Sequence, residues 1–141
     1  MIKRSLLVGL LFLAAAPQPE LRSPVHVESL RYPALARQAR IGSDVTILGD
    51  IDSDGRVSGW PILLTGHPLL AQTAIENLRT WRFQPGPKGQ VKITYHFVIE
   101  GEESDYSQDV TKFDFPDSVT VSVHPPVVDI YPSPLGKSKK K

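Results

Sequence analysis

Thirteen prolines punctuate this 141-residue chain and leave little room for long uninterrupted helices. The prolines cluster before residue 34 and after residue 115, and Pro85-Gly86-Pro87 cuts the middle. What remains is short patterned segments, so the chain reads as a small mixed or β-rich module with irregular ends. Its length suits one domain, or one domain with tails. Charged residues make up 22% and hydrophobic residues 40%, an ordinary globular balance. A formal net charge of +1 gives no global field that would gather nucleic acid. The absence of cysteine excludes disulfides, thiolate metal sites, cysteine nucleophiles and a lipid anchor on cysteine.

The N-terminus has a separate logic. Lys3 and Arg4 precede an apolar run of eleven residues, 6–16, that ends in Ala14, Ala15 and Ala16. A bilayer span takes about 20 such residues, so residues 1–16 read as a secretory signal peptide. The alternative is an uncleaved inner-membrane anchor, because Pro17 directly after Ala16 suits signal peptidase poorly. Residues 17–28 are proline-rich and without period, and read as an arm. Fully extended, twelve residues reach only roughly 37 Å.

The patterned part begins at Tyr32-Pro33. Leu35 and Ala39 lie one helical turn apart with Gly42 beyond them, which predicts a short helix over 33–40. In residues 44–52, Val45, Ile47 and Ile51 alternate with Asp44, Thr46 and Asp50, as in a half-buried strand. Asp52-Ser53-Asp54-Gly55 supplies a turn, and residues 56–64 return, with Gly59 and Pro61 marking a bulge or an edge. Gly66-His67-Pro68 starts a helix whose apolar stripe is Leu70, Ala71, Ala74, Ile75, Leu78 and Trp81. The cleanest alternation follows at residues 91–99. Val91, Ile93, Tyr95, Phe97 and Ile99 form one face, and Lys92, Thr94, His96 and Glu100 mark the other. Residues 101–109 are polar loop, and Val119, Val121 and Val123 suggest a further strand. Residues 127–131 are another candidate strand, and Lys137 and Lys139 to Lys141 form a basic tail. The fold class is therefore α+β. A small two-layer domain is expected, with an antiparallel sheet of about three strands on one main helix and a β-rich C-terminal extension.

Enzymatic chemistry finds little here. There is no Gly-x-Ser-x-Gly elbow and no glycine-rich phosphate loop. His26, His67, His96 and His124 show no metal-ligand spacing. Asp50, Asp52, Asp54 and Gly55 begin a calcium-loop pattern, but Pro61 stands where the bidentate carboxylate belongs. A hairpin turn explains them better, and no cofactor is expected. Trp81 reads as core, while Trp60 is either core or a surface anchor for a partner.

One set of residues carries more than a fold class. In order come Tyr32-Pro33, Ala36, Ile41-Gly42, Asp54-Gly55-Arg56-Val57, Gly66-His67-Pro68-Leu69-Leu70, Ala74 and Trp81-Arg82-Phe83-Gln84-Pro85. Together they resemble the C-terminal domain of the TonB energy-transducer family, over residues 29–101. The family-motif residues are thus Tyr32, Pro33, Gly42, Gly55, Val57, Gly66, His67, Pro68, Leu70, Trp81, Arg82, Phe83 and Pro85. The resemblance implies a non-enzymatic periplasmic domain of Gram-negative bacteria that binds an extended segment of an outer-membrane transporter by adding it as a strand. Full transducers also carry a membrane helix coupled to an inner-membrane proton channel, and a long proline-rich spacer. This sequence departs from that plan in having a signal-like segment instead of a clear membrane span, and no long spacer. Residues 102–141 lie outside the resemblance.

Strand addition needs an open edge with unpaired N–H and C=O groups. The final strand of the matched region, residues 91–99, is the candidate peptide-binding edge. Two alternatives stand beside it. Residues 119–123 can fill that edge from within the same chain, making the domain a structural or assembly module, or two chains can pair edges as a homodimer.

Overall fold

The computed structural model describes residues 22–106 and 108–128. The expected signal segment, the first part of the arm and the lysine tail lie outside the described residues. The element order is β1 (Pro24–His26), α1 (Ala34–Gln38), β2 (Asp44–Ile51), β3 (Val57–Thr65), α2 (Pro68–Thr80), β4 (Arg82–Phe83), β5 (Gly89–Ile99), β6 (Val110–Asp114) and β7 (Ser118–Val123). The main sheet runs β3-β2-β5-β7-β6. The three strands expected from the alternating segments are there, antiparallel, as β3-β2-β5. The extension widens them to five. β7 joins β5 in parallel, and β6 pairs antiparallel with β7. A separate two-stranded ribbon joins β1 to β4.

The alternation of the strands puts one face of the sheet in the core. Val45, Ile47 and Ile51 of β2, Val91, Ile93, Tyr95 and Phe97 of β5, and Val119, Val121 and Val123 of β7 are buried. Leu70, Ala71, Ala74, Ile75 and Leu78 of α2 cover them, so the apolar stripe faces the sheet as its spacing requires. His67 caps α2, its Nδ1 accepting from the Leu69 N–H at 3.2 Å, and Pro68 occupies the first turn. The opposite face of the sheet carries polar pairs: Thr46 and Thr94 at 3.2 Å, and His96 Nδ1 and Asp44 at 2.7 Å.

Asn77 is the buried polar residue at the centre of this packing. Its Nδ2 donates to the Glu28 carbonyl at 2.8 Å. Its Oδ1 accepts from Trp81 Nε1 at 2.9 Å and from the Tyr95 hydroxyl at 3.0 Å. One side chain therefore ties the arm, the end of α2 and the middle of β5 together, with its polar atoms satisfied.

Four features differ from the sequence reading. The arm is not wholly irregular, because Pro24–His26 pairs with Arg82–Phe83 just after α2. Helix α2 stops at Thr80, and Trp81 takes an extended backbone (φ −68, ψ 152) that turns its ring onto Asn77 and starts β4. β6 is an additional strand in a segment with a weak pattern. Val127 and Val128 are not in a strand, and the rest of that candidate lies outside the described residues.

The turn between β2 and β3 is a hairpin, as its residues predict. Asp52 Oδ1 accepts from the Asp54 and Arg56 N–H groups at 3.0 and 2.9 Å, so its carboxylate is spent on the turn. Gly55 sits at φ +84, where a Cβ would collide with the Phe83 carbonyl.

Candidate functional site

The expected docking edge, residues 91–99, is not an open edge over its whole length. β5 is the central strand, with β2 on one side along Gly89–His96 and β7 on the other along Thr94–Ile99. Over Thr94, Tyr95, His96, Phe97, Val98 and Ile99 the outer side is filled by β7, as in the alternative in which residues 119–123 take that edge. The physical reason lies in Val119, Val121 and Val123. Each is at most 2% exposed, so β7 brings core side chains as well as backbone bonds.

The first half of β5 is different. Thr94 N donates to Asp117 O at 2.9 Å and Glu100 N to Val123 O at 3.0 Å, whereas Phe97 N donates the other way, to Ser43 O at 3.2 Å. Even-numbered residues of β5 thus aim their amides at the β7 side. Gln90 and Lys92 aim theirs the same way, but β7 starts only opposite Thr94. Among the described residues, no backbone group pairs with the outer side of Gln90 or Lys92. A short lane of free strand edge therefore continues the line of β7.

The surroundings of the lane are chemically simple. Val91 and Ile93 are buried towards α2, and Gln90 and Lys92 are exposed. The turn that joins β6 to β7 closes one end at Asp117. In that turn Phe115 is half exposed and stacks on Phe113 at 5.8 Å, and Phe113 meets the Trp81 ring edge-on at 6.0 Å. Gln90, Asp117 and Phe115 were missed by the sequence reading. The alternation read from the sequence starts at Val91, whereas β5 starts at Gly89, and nothing in the sequence places the β6–β7 turn beside it.

The extension is held at its other end by α1. Arg37 donates from Nε to the His124 carbonyl at 2.8 Å and from its other arm to the Ser104 carbonyl at 2.6 Å. Arg40 donates to Glu103 and to the Pro126 carbonyl. Both ends of the β6–β7 unit are thereby gathered on α1 and the turn that follows it.

Most family-motif residues are structural. Tyr32 is buried, donates to the Ile41 carbonyl at 2.6 Å and meets Phe97 edge-on, and burial pushes its phenol up to about 12. Pro33 precedes α1, Gly42 lies against the Phe97 carbonyl, and Gly66 against Val45. Val57 and Leu70 pack in or against the core, and His67 and Pro68 open α2. Gly55, Trp81, Arg82 and Phe83 meet where Phe83 N donates to Gly55 O and Arg56 bridges Arg82. Pro85 is exposed just beyond. None of these residues lines the lane except through the Trp81–Phe113 contact. Trp60 is exposed, so it is not a core residue.

No helix among the described residues is long and apolar enough to cross a membrane. Comparison with known proteins agrees with the geometry. The family described as "Gram-negative bacterial TonB protein C-terminal" matches residues 28–100, just over half of the chain. That stretch contains α1, β2, β3, α2, β4 and β5, and leaves β6 and β7 outside. Protein TonB of Escherichia coli K12 is 33% identical over 73 residues, which cover 50% of this chain and 30% of that protein. The solution NMR structure of the Pseudomonas aeruginosa TonB CTD is 27% identical, with a TM-score of 0.50, covering 60% of this chain and 92% of that one. The chain belongs to the family of TonB C-terminal domains.

Proposed function

We propose that this chain is a non-catalytic recognition module of the Gram-negative periplasm that binds an extended segment of an outer-membrane transporter by strand addition, in TonB-dependent transport. What carries the reading is the unpaired outer side of Gln90 and Lys92 on the central strand of a TonB-type sheet. An extended peptide there would gain backbone hydrogen bonds and continue the line of β7. The binding edge is then Gly89–Ile93, not the whole of residues 91–99.

A second reading has its own observation. β7 fills the rest of that side with three buried valines, so the domain could serve as a closed scaffold in an assembly. One experiment separates the two. The full chain is titrated with N-terminal peptides of the host's outer-membrane transporters, and amide shifts are followed by NMR. Saturable shifts at Gly89 to Ile93 and at Asp117 are expected. Lys92→Pro removes an outward N–H from an exposed position and should abolish them without unfolding the domain. A flat titration would give the scaffold reading precedence, and binding that survives in folded Lys92→Pro would place the peptide elsewhere on the domain. Tyr95→Pro is a poor test, because Tyr95 is buried and its amide points to β2.

A further inference from the structure

The other flank of the sheet carries exposed apolar surface that the lane does not use. In β3, Trp60 is 61% exposed, Ile62 59% and Leu64 47%, with Leu63 beside them and Leu69 following at the start of α2. Single exposed apolar side chains are ordinary, but a run of them on one edge marks an interaction surface. We propose that this flank is a second docking surface, for an apolar polypeptide segment that carries a carboxylate.

Charge fixes the chemistry of the occupant. The Arg79 guanidinium lies 4.6 Å from the centre of the Trp60 ring. Among the described residues Arg79 makes no ion pair, and neither do exposed Arg56 and Arg82, whose backbones pair in a β-bridge and of which Arg82 donates to the Thr80 and Trp81 carbonyls. Of the acids close in sequence, Glu76 accepts from Gln72 at 3.0 Å, Asp50 accepts from Gln90 at 2.9 Å and Asp52 is taken by its turn, in which Asp54 lies exposed. An aromatic anchor with an unpaired cation stacked on it suits a partner that brings both apolar side chains and negative charge.

Backbone chemistry fixes the mode of docking. Gly59 sits at φ +65 within a stretch where the β2–β3 register shifts, and Pro61 offers no N–H. Both features blunt an edge against an added strand, including β3 of a second copy. The partner therefore seats through side chains along this edge, with Trp60 as its anchor. β3 and the lane on β5 are separated by β2, so the two surfaces can be occupied together.

Trp60 is itself the reporter, because the other tryptophan, Trp81, is only 1% exposed. The full chain is titrated with two short, end-blocked synthetic peptides, one alternating leucine with glutamate and one alternating leucine with lysine. The acidic peptide should shift tryptophan emission to the blue and move the Arg79 Nε resonance. The basic peptide should do neither. Trp60→Ala should weaken binding of the acidic peptide by about tenfold or more. Arg79→Glu, checked for an unchanged amide spectrum, should reverse the preference towards the basic peptide. Lys92→Pro should leave the response intact, which keeps this surface distinct from the lane. Equal response to both peptides, no response to either, or a preference unaltered by Arg79→Glu would overturn the proposal. A blue shift that grows with protein concentration alone would replace the partner with a second copy of the chain.

Discussion

The two flanks of the main sheet solve the same edge problem in opposite ways. On the β5 side the chain supplies its own strands, and Val119, Val121 and Val123 complete the core. On the β3 side the edge stays uncovered, guarded by Gly59 and Pro61, with its large side chains in water. Each valine on the first flank is worth about 1.5–3 kcal/mol of burial, whereas Ile62 gains little from folding. The difference separates what holds the domain together from what is left available for contact.

The sharpest way to break this contrast is Val121→Asp. A carboxylate in a fully buried position should cost about 4 kcal/mol or more and remove cooperative unfolding in urea. A variant that keeps its midpoint would make the β6–β7 unit a detachable strap. Next comes Asn77→Leu, which deprives Trp81, Tyr95 and the Glu28 carbonyl of their partner. We expect a loss of about 3 kcal/mol in the same measurement. Base should act on the closed flank too. Burial raises the Tyr95 phenol far above its ordinary value and Tyr32 to about 12. Both are neutral when folded, and in the unfolded chain they ionise near pH ~10. Their contribution to stability is therefore complete below pH ~10 and declines as pH rises beyond it. The limiting slope is about 1.4 kcal/mol per pH unit for each group. Urea midpoints that stay constant up to pH ~11 would contradict it. The smallest effect is expected on the open flank, where Ile62→Thr should stay within about 0.5 kcal/mol of the parent. A larger loss would mean that β3 is more firmly built into the fold than its exposure indicates.

The two kinds of flank were unequally legible in the sequence. Alternation in β2 and β5 records which face is buried, because a strand changes face at every residue. It does not record which strand lies alongside, so the filling of this edge by residues 119–123 is only one alternative in the sequence, and the structure shows β7 along half of it. The stripe of α2 was readable for a similar reason, as each apolar residue recurs on the helical period. The end of that helix was not, because Trp81 leaves the helix for a hydrogen bond to Asn77, a tertiary contact. β1 and β4 have three and two residues, too few to show any period. β6 lies at the outer edge and half buries only Thr111 and Phe113, so its pattern stayed faint. Within the candidate site, Lys92 and Ile93 were named in advance, while Gln90 and Asp117 depended on where the hairpin turned.

The joint between Gly55 and Phe83 bears on how such a domain can diversify. Any side chain at position 55 would strike the Phe83 carbonyl, and Phe83 N is bonded back to Gly55 O. The turn after β2 and the segment after α2 must therefore change in concert or not at all. By contrast the side chains of Ile62 and Leu64 are exposed, and that of Trp60 meets only the long, flexible side chain of Arg79 among the contacts described. Lineages can thus retain the same recognisable joint while exchanging the residues of an exposed flank one at a time, and acquire new partners without rebuilding the scaffold.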